Sequence, residues 1–320
     1  MREAGADVAE ARSSDPAGET TPAVEPRPGP DWRVRLGRLG VWAPQLRSRD
    51  PETIRAVSSE LEQLGYGALW APGGAGGPLT ADLRTALAAT SVVTVASGVL
   101  NIWMHDAVDI ARWVAGARVE HGERLLLGLG VSHPRRVTDA GRAYRPMTAM
   151  RAYLDALDAA ADPVLAADRV LAALGPQMLA LARERSAGVH TYLTDPTHTA
   201  VARDSLGEGP LLAPEVKVIL HADRAVARDI GRAHLAHYLG LDNYTRNLLR
   251  SGWTAADLSD GGSDRLIDGL FAIGDVDAVR QRVRAHRDAG ADHVCMQVVT
   301  DQRRVPWDQW RQLAVLATNE

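Results

Sequence analysis

The sequence holds a single cysteine, Cys295. No disulfide framework and no multi-thiolate metal centre can form within one chain, and a reducing cytoplasm is the expected compartment. Phenylalanine is equally scarce, one residue against eight tryptophans. A tryptophan can fill a core or offer a flat wall to a ring, and composition does not choose between them. No run of roughly eighteen apolar residues occurs, so no membrane span is expected. The net charge of −4 gives no basic field for nucleic acid. Also missing are an HExxH or clustered-acid metal set, a GxxxxGK[ST] loop and a carboxylate pair for glycoside chemistry. No metal is expected.

What is present begins after a tail. Residues 1–31 are rich in Ala, Glu, Pro, Gly, Ser and Thr and carry no apolar run. They read as a disordered tail without a signal peptide. From Leu36 onward, short apolar runs alternate with amphipathic stretches. The runs lie at 36–42, 67–70, 92–99, 125–130, 169–174, 188–193, 216–220 and 293–299. Asp50-Pro51 and Asp195-Pro196 each supply a helix cap followed by a first-turn proline. Ile54, Val57, Leu61 and Leu64 then follow at helical spacing. Eight strand-like runs, most of them continuously apolar, alternate with helices and predict an α/β fold, a (β/α)8 TIM barrel, as one domain over 32–320. A helical insertion is expected at about 243–270, before the last helix and strand. The alternative, a doubly wound open sheet, would normally carry a nucleotide fingerprint after its first strand. Trp42-Ala43-Pro44-Gln45 has no such glycines.

In such a barrel the active site lies in loops at the C-terminal ends of the strands. That rule collects Trp42 and Gln45, Pro72 and the glycines after it, and Ser97 to Asn101 with Trp103, Met104 and His105. It adds Val131, Ser132 and His133, the Gly175-Pro176 turn, Tyr192, Thr194 and His198, and finally Met296 and Gln297. The set is mostly apolar, amide or aromatic, which suits a bound ring cofactor better than hydrolysis. Gly128-Leu129-Gly130-Val131-Ser132-His133 begins like a dinucleotide fingerprint but has His133 in place of the third glycine, a false lead. Leu174-Gly175-Pro176-Gln177 reads as an ordinary strand-to-helix turn or as a phosphate cradle. Gly175 allows close approach, Pro176 suits a helix start, and the free N–H groups there favour an anion. Its place fifth in the series, at the active end, favours the cradle. His105 and His133 stand at the same end, as acid–base groups or as loop structure. His121 precedes the fourth strand and falls at the opposite end. His190 lies mid-strand and packs, and Cys295 reads as a buried, inert thiol.

Several stretches together resemble the luciferase-like family of flavin and deazaflavin oxidoreductases. More narrowly, they resemble an actinobacterial subgroup of coenzyme F420-dependent oxidoreductases. The residues carrying this are Leu61-Glu62-Gln63-Leu64-Gly65-Tyr66-Gly67-Ala68-Leu69-Trp70, Ser97-Gly98-Val99-Leu100-Asn101-Ile102 and Leu127 to His133. They continue through Leu171 to Leu179, Asn243-Tyr244-Thr245-Arg246-Asn247-Leu248-Leu249 and Gly290-Ala291-Asp292-His293-Val294-Cys295. The resemblance implies a barrel with the ring at its C-terminal mouth and a non-proline cis peptide behind the ring, here Gly98–Val99. It implies a cofactor phosphate at Leu174, Gly175, Pro176 and Gln177, with Thr194 as a hydroxyl donor. Ser97, Asn101, Gly130 and Ser132 belong to the same expected cofactor site.

The chain also departs from the pattern. Subgroup members often carry a Glu and an Arg-Asp-Pro-like segment after the second strand, where this chain has Pro72-Gly73-Gly74-Ala75-Gly76-Gly77-Pro78. Some relatives place a proton-donating Glu near the position of Val131. No acid–base residue carries over by match, which leaves His105 and His133 as substitutes. The expected function is F420-dependent hydride transfer to or from a small organic substrate, in a homodimer. The alternatives are an FMN-dependent monooxygenase, and a barrel that has lost catalysis and acts as a binding protein.

Overall fold

The helix starts follow local chemistry. Asp50 accepts hydrogen bonds from the amides of Glu52 and Thr53, and Pro51 opens the helix Pro51–Gln63. Asp195 accepts from the His198 amide ahead of the helix Pro196–Leu206. Asp275 caps Val276–Asp288 in the same way. Each cap satisfies an amide that the helix itself leaves without a partner. The computed structural model describes residues 30–73, 77–133, 144–301 and 304–318. Residues 1–29 of the expected tail lie outside them, while Asp31 caps a first helix.

In chain order the elements are α1 (Trp32–Leu36), β1 (Leu39–Trp42), α2 (Pro51–Gln63), β2 (Ala68–Ala71), α3 (Leu79–Ala88), β3 (Thr94–Ser97), β4 (Leu100–Asn101) and α4 (Ala107–His121). There follow β5 (Leu125–Gly130), α5 (Pro146–Asp158), β6 (Arg169–Ala172), α6 (Pro176–Arg185), β7 (Gly188–Thr191), α7 (Pro196–Leu206) and β8 (Leu211–Leu220). The chain continues with α8 (Arg224–Leu239), α9 (Asp242–Arg250), α10 (Ala255–Leu258), α11 (Asp264–Leu270), β9 (Phe271–Gly274), α12 (Val276–Asp288) and β10 (Val294–Val298). Two C-terminal helices, α13 (Trp307–Leu313) and α14 (Val315–Thr318), complete it.

The strands pair in parallel in the order β10, β1, β2, β3, β5, β6, β7, β8, and β8 pairs back onto β10. This closed ring of eight parallel strands wrapped by helices is a (β/α)8 TIM barrel. Alternate residues along each strand serve two cores, as the pleat requires. One set, with Trp42, Ala68, Trp70, Ala96, Leu126, Val170, Ala213 and Cys295, packs together with Trp32 and Leu36 of α1. The other set, with Val41, Leu69, Val95, Leu127, Leu171, Val189 and Val216, packs with the helices. Trp32 also donates from Nε1 to the Ala167 carbonyl at 2.6 Å, tying α1 to the segment before β6. Among the described residues no helix is long and apolar enough to cross a membrane.

Three strand boundaries differ from the sequence pattern. Leu36 ends α1 and does not open β1. β8 begins at Leu211, five residues ahead of the expected run, because Pro214, Glu215 and Lys217 interrupt its apolar pattern. β9 follows the three helices α9 to α11 and pairs with the end of β8, from Lys217 beside Phe271 to Leu220 beside Gly274. A half-buried four-residue strand leaves little periodic signal.

Polar rings share the interior with the tryptophans. His190 stacks on Trp70 with centroids 4.4 Å apart. Its Nδ1 donates to the Ala213 carbonyl at 2.8 Å. His293 donates from Nδ1 to the Gly37 carbonyl and accepts from Trp70 Nε1 at 3.1 Å. Elsewhere His286 pairs its Nδ1 with the Thr199 hydroxyl at 2.9 Å. Burial pulls the pKa of His190 and His286 down to about 3 and that of His293 to about 4. The unfolded chain therefore binds more protons than the folded one from about pH 6.5 downward. Stability from these rings is fully present above about pH 6.5. It should fall below it by up to about 1.4 kcal/mol per ring and pH unit. Urea unfolding followed from pH 7 to pH 4.5 checks this, and a flat profile would contradict neutral burial of the three rings.

Candidate active site

The C-terminal end of β3 departs from regular pairing. β3 pairs with β5 through Ala96 beside Leu126, and pairing resumes at β4 with Leu100 beside Leu129. Four residues on one strand thus oppose three on the other, which is a bulge. The Gly98–Val99 peptide inside it is cis. Ser97 ties the bulge to β5, its Oγ donating to the Gly128 carbonyl and accepting the Gly128 amide, both at 2.8 Å. Trp42 Nε1, from the end of β1, donates to the Gly98 carbonyl at 2.9 Å. A Cβ on Gly130 would come 2.5 Å from a Val99 methyl, and one on Gly73 would come 1.6 Å from the Val99 carbonyl oxygen. Asn101 is buried, with Oδ1 accepting the Trp103 amide at 3.0 Å. Ser97, Gly98, Val99, Asn101 and Gly130 are thereby gathered in one place.

The loop after β5 turns through Ser132, which has a φ of 58° and accepts the Tyr144 hydroxyl at its carbonyl. His133 follows, with Nδ1 3.0 Å from Asn243 Oδ1 and its ring centroid 5.5 Å from that of Tyr244. This joins the loop to α9. His105 turns to a different neighbour. It is half-buried, and burial together with the Arg47 guanidinium lowers its pKa, which favours a neutral ring.

The turn at the end of β6 forms a helix start with no side-chain cap. Gly175 is the N-cap of α6 and Pro176 its first residue. A Cβ on Gly175 would lie 3.4 Å from a terminal nitrogen of the Arg250 guanidinium. Arg250 closes α9 and makes a hydrogen bond at 3.1 Å to Asn247 Oδ1. Unsatisfied helix amides beside a guanidinium fit a phosphate. His198 Nε2 donates to the Leu174 carbonyl at 3.0 Å, which holds the start of α7 against this turn. Thr194 lies just before α7, buried, with its hydroxyl 3.2 Å from that of Thr191.

Tyr192 and Gln297, both expected at the mouth, join a cluster on its β7–β8 side with Glu215, Lys217 and Tyr238, which the sequence reading did not single out. Lys217, the chain's only lysine, makes hydrogen bonds to both oxygens of Glu215 at 2.8 and 2.9 Å. Its Nζ lies 3.7 Å from the Tyr192 ring centre. The Tyr192 hydroxyl bonds to Tyr238 at 2.7 Å and to Gln297 at 3.0 Å. Tyr192 also packs against Trp42, centroids 5.4 Å apart. Burial raises the Glu215 pKa and lowers that of Lys217, each against the pull of its partner. A lone lysine between alternating apolar residues was the available signal. Arg250 had none, since only the fold carries it to Gly175. Among the described residues, no group of three or more His, Cys, Asp and Glu could hold a metal ion.

Known structures share this architecture. An F420-dependent secondary alcohol dehydrogenase, in complex with an F420–acetone adduct, matches with a TM-score of 0.68 and 13% identity over 88% of this chain and 99% of that one. A coenzyme F420-dependent tetrahydromethanopterin reductase from Methanopyrus kandleri matches with a TM-score of 0.63 and 18% identity, covering 86% and 96%. The third is the oxygenating constituent of 3,6-diketocamphane monooxygenase from Pseudomonas putida, a type II Baeyer-Villiger monooxygenase in complex with FMN. It matches with a TM-score of 0.60 and 13% identity, covering 88% and 96%. No family model and no curated protein sequence matches the chain. At these identities the likeness establishes the fold, which is the one the sequence resemblance implied.

The packing at the bulge leads to a stability prediction. Gly130→Ala forces a methyl against the stiff side chain of Val99 and should cost about 1–3 kcal/mol. Gly73→Ala meets backbone and should cost more. Urea midpoints of both variants check this, and parental stability in both would show that the bulge yields freely.

Proposed function

We propose that the protein is an oxidoreductase that seats coenzyme F420 at the C-terminal mouth of the barrel and moves a hydride between the reduced deazaflavin and a small organic substrate. The observation that carries this reading is the uncapped α6 start at Gly175, faced by the Arg250 guanidinium. The fold neighbours add support, two being F420-dependent enzymes and one a complex with FMN. When bound, the deazaflavin supplies a ring carbon that carries hydride and reacts poorly with oxygen.

The chain's own residues then bind, orient and shield. The amides after Gly175 and Pro176 take the phosphate together with Arg250, and the Thr194 hydroxyl stands on the adjoining α7 turn. The Gly98–Val99 bulge, backed by Trp42, forms the wall behind the ring, with Ser97 fixing the bulge to β5. Asn101, Gly130 and Ser132 border that wall on the β5 side. Tyr192 and Trp42 present aromatic faces beside it, and Tyr244 of α9 shields the mouth from water next to His133. A small substrate held there is fixed by shape and by few polar groups. His105, kept neutral by burial and Arg47, can accept a proton at the mouth, and His133 can exchange one on the α9 side.

The direct test is purification from a host that makes both cofactors, followed by absorbance and titration. Bound deazaflavin is the expected result. Bound flavin instead would favour an FMN-dependent monooxygenase, and binding of neither would leave only a binding protein. Arg250→Ala should weaken cofactor binding about ten- to a hundredfold. With any substrate the loaded enzyme turns over, a His105→Ala/His133→Ala double variant should keep cofactor affinity and lose turnover. Full turnover in that variant would remove both histidines from the chemistry.

A further inference from the structure

The hydroxyl network on the β7–β8 side of the mouth has a definite polarity, and Lys217 sets it. The pleat of β8 sends Glu215 and Lys217 to the same face, and both side chains are buried. Lys217 Nζ donates to the two Glu215 oxygens at 2.8 and 2.9 Å. An ammonium has three donors and no acceptor. One N–H is left, and Gln297 Oε1 lies within its reach at 3.5 Å, while the Tyr192 ring centre is 3.7 Å from Nζ. The carboxylate and the ring face both favour the charged form of the lysine.

Gln297 therefore turns its carbonyl oxygen to the ammonium, since its NH2 group would set donor against donor. The same oxygen receives the Tyr192 hydroxyl at 3.0 Å. A hydroxyl carries one proton. Tyr192 commits it to Gln297 and can only accept across the 2.7 Å contact with Tyr238. Tyr238 thus commits its own proton to Tyr192. At the end of the chain stands the Tyr238 oxygen, an acceptor to which no other group bonds among the described residues. Burial raises the pKa of Tyr192 and takes that of Tyr238 up to about 12, so both hydroxyls keep their protons at neutral pH. Tyr238 lies in the last turn of α8 and is half-buried. The Tyr192 ring contacts both Tyr238 and Trp42 of the bulge wall, and Tyr244 of α9 meets Tyr238 edge-on with centroids 5.2 Å apart.

We propose that the Tyr238 oxygen reads the substrate by accepting a hydrogen bond from a hydroxyl or N–H group away from the reacting carbon, with Lys217 as the positioning residue that keeps this oxygen an acceptor. The inference rests on the mouth being the substrate site. It narrows the substrate class to molecules that carry a donor besides the reacting group. A molecule whose polar atoms only accept finds no partner at Tyr238. His105 and His133 keep the proton exchange at the reacting group.

Two probes test this on the full-length protein: indole, which donates one N–H, and quinoline at pH 8, which only accepts. Dissociation constants come from ligand-observed NMR titration. Tyr238→Phe removes the acceptor and supplies the baseline ratio for the two ring shapes. The parent should favour indole about fivefold beyond that baseline. Glu215→Gln combined with Lys217→Met replaces the charged pair by neutral side chains of similar size. The Gln297 amide is then free to turn and donate to Tyr192, Tyr192 donates to Tyr238, and the Tyr238 proton is released toward the mouth. The preference should pass to quinoline. A merely structural role of Lys217 would weaken both probes alike. A cooperative unfolding transition checks the fold of each variant, and if the double variant does not fold, the parent against Tyr238→Phe still decides. A parental ratio no higher than the Tyr238→Phe baseline would overturn the Tyr238 assignment. An indole preference that survives in the double variant would overturn the Lys217 assignment. Binding of neither probe would overturn both. Titration with F420 is read separately, so a protein that binds the deazaflavin without preferring indole loses this inference and keeps the cofactor reading.

Discussion

The bulge after β3 sets the terms for everything around the mouth. Its backbone swings out at Ser97–Val99, and the neighbours on both sides must give way. On the β2 side the Val99 carbonyl needs the space that a side chain at Gly73 would take. On the β5 side Ser97 and Val99 press on Gly128 and Gly130 in turn. The same constraint explains the Gly128-Leu129-Gly130 pattern that imitates a dinucleotide fingerprint. Those glycines stand inside a strand and make room for a neighbouring strand, not for a pyrophosphate. Trp42 then locks the displaced carbonyl of Gly98 and turns its ring toward Tyr192. The surface at the mouth is thus shaped by backbone displacement first and side chains second.

Opposite this wall the barrel accepts a cost. Removing two charges from water is expensive, and a buried pair is weak evidence for stability. The chain nevertheless keeps its only lysine there, within 2.9 Å of both Glu215 oxygens and against the Tyr192 ring. Arginine is the cation used everywhere else in this sequence. A compact ammonium fits between the carboxylate and the ring, and unlike a guanidinium it can lose its proton when buried. Lys217 Nζ also reaches Gln297 Oε1 at 3.5 Å, the same oxygen that accepts the Tyr192 hydroxyl.

The barrel was legible in the sequence because most of its strands are covered on both faces and read as mainly apolar runs at regular spacing. Strand β8 was half hidden, since its interior positions carry Glu215 and Lys217. β9 was missed because four residues after a helix give no period. At the site, legibility followed the chain. Ser97, Gly98, Val99 and Asn101 are consecutive or nearly so, and Gly175-Pro176 is a local signal. Arg250, Tyr238 and Tyr244 are not, because their relation to the mouth exists only after the helices past β8 fold back over it. A charge 75 positions from its partner leaves no trace in spacing.

That folding back also gives the site a direction. The bulge ends β3 and the uncapped helix start at Gly175 follows β6, so both stand on the C-terminal rim of the barrel. The α9–α11 region meets this rim at two places, with Arg250 beside Gly175 and Trp253 donating to Asp195 ahead of α7. A shift of this segment would move both contacts together. Both contacts therefore depend on one set of helices, and a change that displaces α9 would carry the Arg250 guanidinium away from the α6 start.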